Sequence, residues 1–242
     1  MARPAVVLLH GMFGSPDNWR ACAERLRPNR EVLVPELPVW DLPRSESGVA
    51  GLVSHLERFL EQERVGRAAF AGNSLGGHVA LELALRRPER AAALVLTGSS
   101  GLFERGLASP PPRRPTRDWI RTKVREVFYH ESHVTEALVD QIHKTVLDVR
   151  RVKKIVCMAK SAKRGNLSGM LHRIGCPVLL AWGREDLITP PEAALDFKRH
   201  IPHAELAFIG QCGHAPNIEQ PQELSALMES FLDRHCPASA AS

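Results

Sequence analysis

No stretch of this chain is apolar for long enough to cross a membrane. The first hydrophobic run covers only residues 5–9 before His10-Gly11 interrupts it, far short of the roughly 20 residues a bilayer demands and too short for a secretory leader. The expectation is a cytoplasmic protein with no membrane span. Cysteine is scarce and unpatterned. Cys22, Cys157, Cys176, Cys212 and Cys236 are odd in number and show no CxxC pair or metal-ligand spacing. That excludes a disulfide framework and reads as free thiols in a reducing compartment. Aromatic residues make up 5% of the chain, with a single tyrosine, which disfavours a carbohydrate-stacking platform. Neither a nucleic-acid motif nor aromatic residues interleaved with the charges are present, so no nucleic-acid partner is expected. There is no internal repeat.

What is present fits one large α/β domain of 242 residues with an insertion, long enough for a sizeable core. Short β-like runs alternate with helical stretches, the pattern of a mostly parallel sheet covered on both faces. Strands are predicted over 6–10, 32–35, 68–72, 93–97, 178–182 and 205–209, and helices over 19–26, 49–63, 75–86, 191–200 and 221–235. Residues 1–100 and 174–236 then form the core, 101–173 the insertion, and 237–242 a tail without fixed structure. Charge divides the same way. Residues 101–173 hold 16 Lys plus Arg against 7 Asp plus Glu, whereas the rest hold 16 against 20.

The segment Gly72-Asn73-Ser74-Leu75-Gly76-Gly77 lies between an apolar strand-like run and a helix-like run. A serine hydroxyl is a weak nucleophile at neutral pH, so it must stand out on a tight turn where a base can reach its proton. The flanking glycines suit such an elbow, and the Leu75 amide, at a helix N-terminus, would face a developing oxyanion. The pentapeptide alone is weak, and three further segments supply context. The run 6–10 leads into Gly11-Met12-Phe13-Gly14, where the amide of Met12 or a neighbour offers a second donor. The run 178–183 ends just before Arg184-Glu185-Asp186. The run 205–209 leads to Cys212-Gly213-His214-Ala215-Pro216. The order Ser, Asp, His is that of one serine-hydrolase triad arrangement. Structural readings stand beside these. Ser74 fits a helix-capping turn serine, and Asp186 fits a cap before Thr189-Pro190 with Glu185 or a residue near Glu104 as the acid. His214 is one of eleven histidines. His10 reads as a structural loop histidine.

With these motifs in view, the chain resembles the α/β-hydrolase superfamily from His10 through the last helix near Phe231. The resemblance implies the α/β-hydrolase fold, a mostly parallel sheet with helices on both faces and an inserted helical cap. It implies Ser74 as nucleophile, His214 as the base that takes and returns its proton, and Asp186 as the group that orients the imidazole. It implies Met12 and Leu75 amides as the oxyanion hole, and no cofactor and no metal.

The insertion opens on Ser109-Pro110-Pro111-Pro112-Arg113-Arg114-Pro115, whose prolines preclude a continuous helix and suggest a linker or lid hinge. Helical patterns follow over 116–130, 134–149 and 151–164. Ile120, Val124, Val127 and Phe128 line one face, and Leu138, Ile142, Val146 and Val149 another. A cap of this kind excludes water and shapes the substrate pocket. The candidate substrate-contacting residues are Phe13, Asn73, Trp119, Phe128, Ile142 and Met158. The basic excess offers Lys160, Lys163, Arg164 or Arg121 to an anionic substrate group, against the plainer reading of a solvated helix surface.

The elbow asparagine Asn73, the run Trp182-Gly183-Arg184-Glu185-Asp186 and Cys212-Gly213-His214 resemble the meta-cleavage-product hydrolases, which break a carbon–carbon bond. Where those enzymes hold the dienoate carboxylate with an arginine, this chain has Ile142, and where they follow the histidine with tryptophan it has Ala215. The opening, from His10-Gly11-Met12-Phe13-Gly14 to Trp19, resembles small bacterial carboxylesterases instead. The leading expectation is a serine hydrolase of small-molecule carboxylic esters, working through an acyl-enzyme. The alternatives are the carbon–carbon hydrolase and a hydrolase-fold receptor with little turnover.

Overall fold

The computed structural model describes residues 3–102, 112 and 114–238. In chain order the elements are β1 (Ala5–Leu9), α1 (Arg20–Leu26), β2 (Val32–Leu33), α2 (Val49–Gln62), β3 (Ala68–Asn73), α3 (Leu75–Arg86), β4 (Ala91–Thr97), α4 (Arg117–Arg125), α5 (Glu136–Leu147), α6 (Val149–Arg164), β5 (Val178–Gly183), α7 (Pro191–His200), β6 (Glu205–Ile209), α8 (Pro216–Glu219) and α9 (Pro221–His235), with short 3-10 turns between some of them. The six strands form one sheet in the order β2-β1-β3-β4-β5-β6. Every pairing is parallel.

Every residue of β1, β3, β4 and β5 is buried, as expected of strands covered on both faces. Successive side chains of β1 feed opposite cores. Ala5, Val7 and Leu9 pack with α2, α3 and α7, while Val6 and Leu8 pack with α1 and α9, the period of two that a strand imposes. This layering leaves the carboxyl ends of the strands facing the loops that carry the candidate residues.

The insertion departs from its sequence reading at its helix boundaries. α4 stops at Arg125, not at 130, because the next turn spends its main chain elsewhere: the Val127 carbonyl and the Tyr129 amide bond to the 213–219 region, and such tertiary bonds override helix propensity. The second and third helical patterns break at Asp148, whose side chain accepts from the Arg150 and Arg151 amides and caps α6. Val149 therefore opens α6 and is 66% exposed, and Val139 is the residue of α5 that is fully buried. The insertion's own apolar cluster is small: Ile120, Val124 and Val139 are buried, with Trp119, Phe128, Leu138 and Ile142 among those packed against them.

α6 anchors the insertion to the body. Met158 and Ala162 enter the main core, Lys154 donates to the Leu42 carbonyl, and the Val49 amide donates to Ser161 Oγ at 3.1 Å. β2 is two residues long, shorter than expected, and α8 and the 3-10 turn Pro16–Trp19 are additions. Most of the proline-rich hinge and the end of the tail lie outside the described residues.

Candidate active site

Ser74 joins β3 to α3 with φ 54° and ψ −117°, a backbone conformation unfavourable for a side chain with a Cβ and worth about 1–3 kcal/mol of strain. Hydrogen bonds hold it there. Its amide donates to the Thr97 carbonyl at 3.0 Å, and its carbonyl accepts from the amides of Gly77, His78 and Ser100 at 3.0, 3.2 and 3.2 Å. The turn closes only because Gly76 has no side chain, since a Cβ there would stand 2.2 Å from the Leu9 carbonyl oxygen.

Asp186 follows β5 and is 2% exposed. The capping role and the contact with histidine coexist in it. Oδ1 accepts from the amides of Ile188 and Thr189 at 2.8 and 2.9 Å. Oδ2 accepts from the Thr189 hydroxyl at 2.8 Å and lies 2.9 Å from His214 Nδ1. The geometry assigns the Nδ1 proton to the bond with Asp186 and leaves Nε2 free to act as a base. Glu185 is not the acid. Its Oε2 accepts from the Cys212 amide at 2.9 Å, so its carboxylate is directed to the loop's main chain while Asp186 takes the contact with His214. Glu104, the other alternative, lies outside the described residues.

His214 is buried on a loop held by hydrogen bonds to the amides of Cys212, Gly213 and His214. Its amide donates to the Val127 carbonyl at 2.7 Å, and its carbonyl accepts from Asn73 Nδ2 at 2.8 Å. Gly98, at φ +49°, makes room for the ring, since a Cβ there would come within 2.7 Å of Nδ1. Among the described residues no hydrogen bond joins the Ser74 hydroxyl to His214; the pair His214–Asp186 is made and the third link is open. Such links often tighten only around the substrate. Burial first, then the carboxylates of Glu219, Asp186 and Glu185, push the Cys212 thiol far above its usual range, leaving it a neutral bystander beside the pair.

Leu75 is the first residue of α3, so its amide has no intrahelical acceptor and sits at the positive end of the helix dipole. Met12 lies in the turn after β1 that the Gly14 amide closes on the Gly11 carbonyl at 3.1 Å. His10 supports that turn as a structural residue: Nδ1 is 2.8 Å from the Gly11 carbonyl, and Nε2 accepts from the Leu37 amide at 2.9 Å. Burial lowers its pKa, which suits that neutral bonding pattern.

Of the residues expected to meet substrate, Phe13 is 37% exposed and tilts against Trp40 with ring centroids 5.7 Å apart. Trp119, Phe128 and Ile142 gather in the insertion's apolar cluster. Two expectations need correction. The Asn73 side chain is spent on the Thr97 carbonyl and hydroxyl as well as on the His214 carbonyl, so it ties the elbow to the histidine loop. Met158 is 1% exposed within the main core, where it packs α6 onto the body. Thr189, Val127 and Glu219 had no motif to reveal their roles, because each makes a contact across 25 or more residues: Thr189 and Val127 with His214, and Glu219 with Tyr129.

The sequence matches the family model of the alpha/beta hydrolases over residues 6–227. The chain belongs to the alpha/beta hydrolase family. Within that family it is 31% identical to a pimeloyl-[acyl-carrier protein] methyl ester esterase of Aromatoleum aromaticum, an alignment covering 96% of this chain and 99% of the relative. It is 28% identical to a 2-hydroxy-6-oxononadienedioate/2-hydroxy-6-oxononatrienedioate hydrolase of Burkholderia vietnamiensis, over 95% of this chain and 87% of that one. Among solved structures it resembles an alpha/beta hydrolase enzyme from the metagenome of lagoon sediments of Mar Chica, Morocco, with a TM-score of 0.79, 31% identity and coverage of 97% and 92%. The protein is a hydrolase of this family. Among the described residues no helix is long and apolar enough to cross a membrane, and no group of three His, Cys, Asp or Glu is placed to hold a metal ion.

Proposed function

We propose that this alpha/beta hydrolase is a cytoplasmic serine hydrolase that cleaves small or medium carboxylic esters through an acyl-enzyme on Ser74, without a cofactor. The observation that carries the reading is the buried His214–Asp186 pair at 2.9 Å on a loop tied by Asn73 to the strained Ser74 elbow. His214 Nε2 takes the Ser74 hydroxyl proton as Oγ attacks the ester carbonyl. The Met12 and Leu75 amides receive the oxyanion, each donor contributing about 3 kcal/mol to the transition state. The imidazolium, stabilised by Asp186, then protonates the departing alcohol. Water repeats the sequence on the acyl-enzyme and releases the acid. Residues 101–173 act as the cap, their apolar cluster around Trp119, Phe128 and Ile142 meeting the acyl chain.

Ile142 in that apolar cluster supports ester chemistry over the carbon–carbon reading, because an apolar side chain stands where an arginine would hold a dienoate carboxylate. α6 favours a second shade of the same reaction. The helix carries seven Lys and Arg and no acidic residue. That charge suits an ester borne on an anionic group or carrier, in keeping with the name of the Aromatoleum relative.

The test is steady-state turnover of p-nitrophenyl acetate, butyrate and octanoate beside a 2-hydroxy-6-oxo-dienoate, with wild type and Ser74→Ala. Ester turnover that falls by on the order of 10⁶ in Ser74→Ala is the expected result. Turnover of the dienoate in place of the esters would establish the carbon–carbon hydrolase. Slow single-turnover reaction with all of them would move the receptor reading forward.

A further inference from the structure

Glu219, at the end of α8, is 8% exposed and is absent from the chemistry proposed above. Its carboxylate nevertheless accepts three main-chain N–H groups. Oε1 takes the Gly213 amide at 2.8 Å, and Oε2 takes the Tyr129 amide at 2.6 Å and the His130 amide at 3.4 Å. Gly213 is the neighbour of His214, while Tyr129 and His130 belong to the insertion. One buried carboxylate thus spans two parts of the molecule with charge-assisted bonds, stronger than their neutral counterparts.

The contact is close on every side. The Val127 carbonyl takes the His214 amide at 2.7 Å, and a Cβ on Gly213 would stand 2.6 Å from that same carbonyl and 2.9 Å from the Tyr129 nitrogen. Three successive amides of the histidine loop are therefore held by three separate parts of the chain: Cys212 by Glu185, Gly213 by Glu219 and His214 by Val127. Two of the three holds involve residues 127–130 of the insertion, directly or through Glu219.

We propose that Glu219 is a positioning residue that latches residues 127–130 onto the His214 loop, so that the base is aimed at Ser74 only while that part of the insertion is seated. The inference rests on the serine-hydrolase reading. It makes the insertion a determinant of base geometry as well as a cover: lifting 127–130 strips the His214 amide of its acceptor and frees Glu219 from the Tyr129 and His130 amides, so that the loop is left with the holds of Glu219, Glu185 and Asn73. Misplacement of a catalytic group by about 1 Å is enough to lower a rate about 100-fold.

The experiment compares Glu219→Gln, which keeps the shape and loses the charge, with Tyr129→Pro, which deletes one donor and leaves Glu219 in place. Leu232→Ala, a buried residue of α9 that makes none of these hydrogen bonds, controls for lost stability. Each is measured at a temperature where circular dichroism shows it folded. The readouts are kcat and KM on a p-nitrophenyl ester, the rate of labelling by a fluorophosphonate, and the low-field proton resonance of the His214 Nδ1–H bond to Asp186.

For Glu219→Gln and Tyr129→Pro we expect kcat and labelling to fall together, by up to about 100-fold, with KM little changed and the resonance broadened or shifted. Leu232→Ala is expected to lower the melting temperature and leave all three readouts in place. A Glu219→Gln protein that is less stable but unchanged in kcat, labelling and resonance would overturn the latch. If wild type neither turns over esters nor reacts with the fluorophosphonate, the serine-hydrolase reading fails. The resonance then decides the latch alone, and an unmoved signal overturns it.

Discussion

The sheet and the insertion are held by different means. Every residue of four of the six strands is buried, whereas the insertion's own apolar cluster has three buried residues among those described. The insertion's attachment to the body combines the apolar anchors Met158 and Ala162 with a few directed contacts: Lys154 to Leu42, Ser161 to Val49, Val127 to His214 and the Glu219 carboxylate. Burial of apolar area is non-directional and tolerant of detail, while a hydrogen bond is lost when one partner shifts. The body therefore supplies most of the frame around Ser74, Asp186 and His214, and the insertion adds the hold of Val127 on the His214 amide. Charge follows the same division. The cations of α4 pair with carboxylates around them, as Arg117 with Glu136 and Asp140, and Arg121 with Asp118 and Glu136. Among the described residues, the cations in the second half of α6 form no such pairs.

The largest effect that would sharpen this contrast is expected at the frame's buried acid. Asp186→Asn keeps the turn but presents an amide to His214, favouring the wrong tautomer, and kcat should fall about 10⁴-fold with the fold intact. A loss under tenfold would show that Asp186 serves the turn alone.

Next come two cavity substitutions of different reach. Phe70→Ala, at the centre of the sheet, should lower unfolding free energy by about 3–5 kcal/mol in urea titrations. Val139→Ala in the insertion should change global stability by about 1 kcal/mol or less while altering KM for longer acyl esters. Equal losses of stability from both would mean that the insertion unfolds with the sheet as one unit.

The third probes the seam between the two regions. His78 on α3 is fully buried, neither ring nitrogen has a hydrogen-bond partner, and Cβ atoms built on Gly165 and Gly101 would lie 3.4 and 3.6 Å from its ring. Burial lowers its pKa to about 4. The folded state refuses a proton that the unfolded chain accepts below about 6.5. Stability is thus full above that pH and falls through the window down to about 4, by about 1.4 kcal/mol per pH unit. His78→Leu should flatten that decline in denaturant titrations between pH 7 and pH 5. An unchanged slope would assign the acid sensitivity to other buried histidines, such as His10.

The legible parts of the molecule were those where sequence neighbours also act together. Each expected strand of the core is present, and α3, α7 and α9 begin and end where their periodicity places them, because each buries a continuous face next to its own strand. The loops that bring Asp186 to His214 were legible for the same reason, each following a strand. The insertion's boundaries were not, since α4 ends where its main chain is drawn off to residues 214 and 219, some 90 positions away. Asn73 illustrates the difference within one motif. Its place in the elbow was clear, but its partner across 141 positions, the His214 carbonyl, leaves no trace in local pattern.

The contact between Gly76 and the Leu9 carbonyl has a consequence for how such an enzyme is altered. It sets the end of β1 against the start of α3, and the proposed donor amides follow directly, Met12 in the turn after β1 and Leu75 as the first residue of α3. The distance between those proposed donors is thus a gauge cut into the frame by an absent side chain. A foreign insertion grafted between Gly101 and Ile174 would inherit that gauge and would have to bring a wall for its substrate, an apolar anchor in place of Met158 and Ala162, and main-chain partners for Glu219 and the His214 amide.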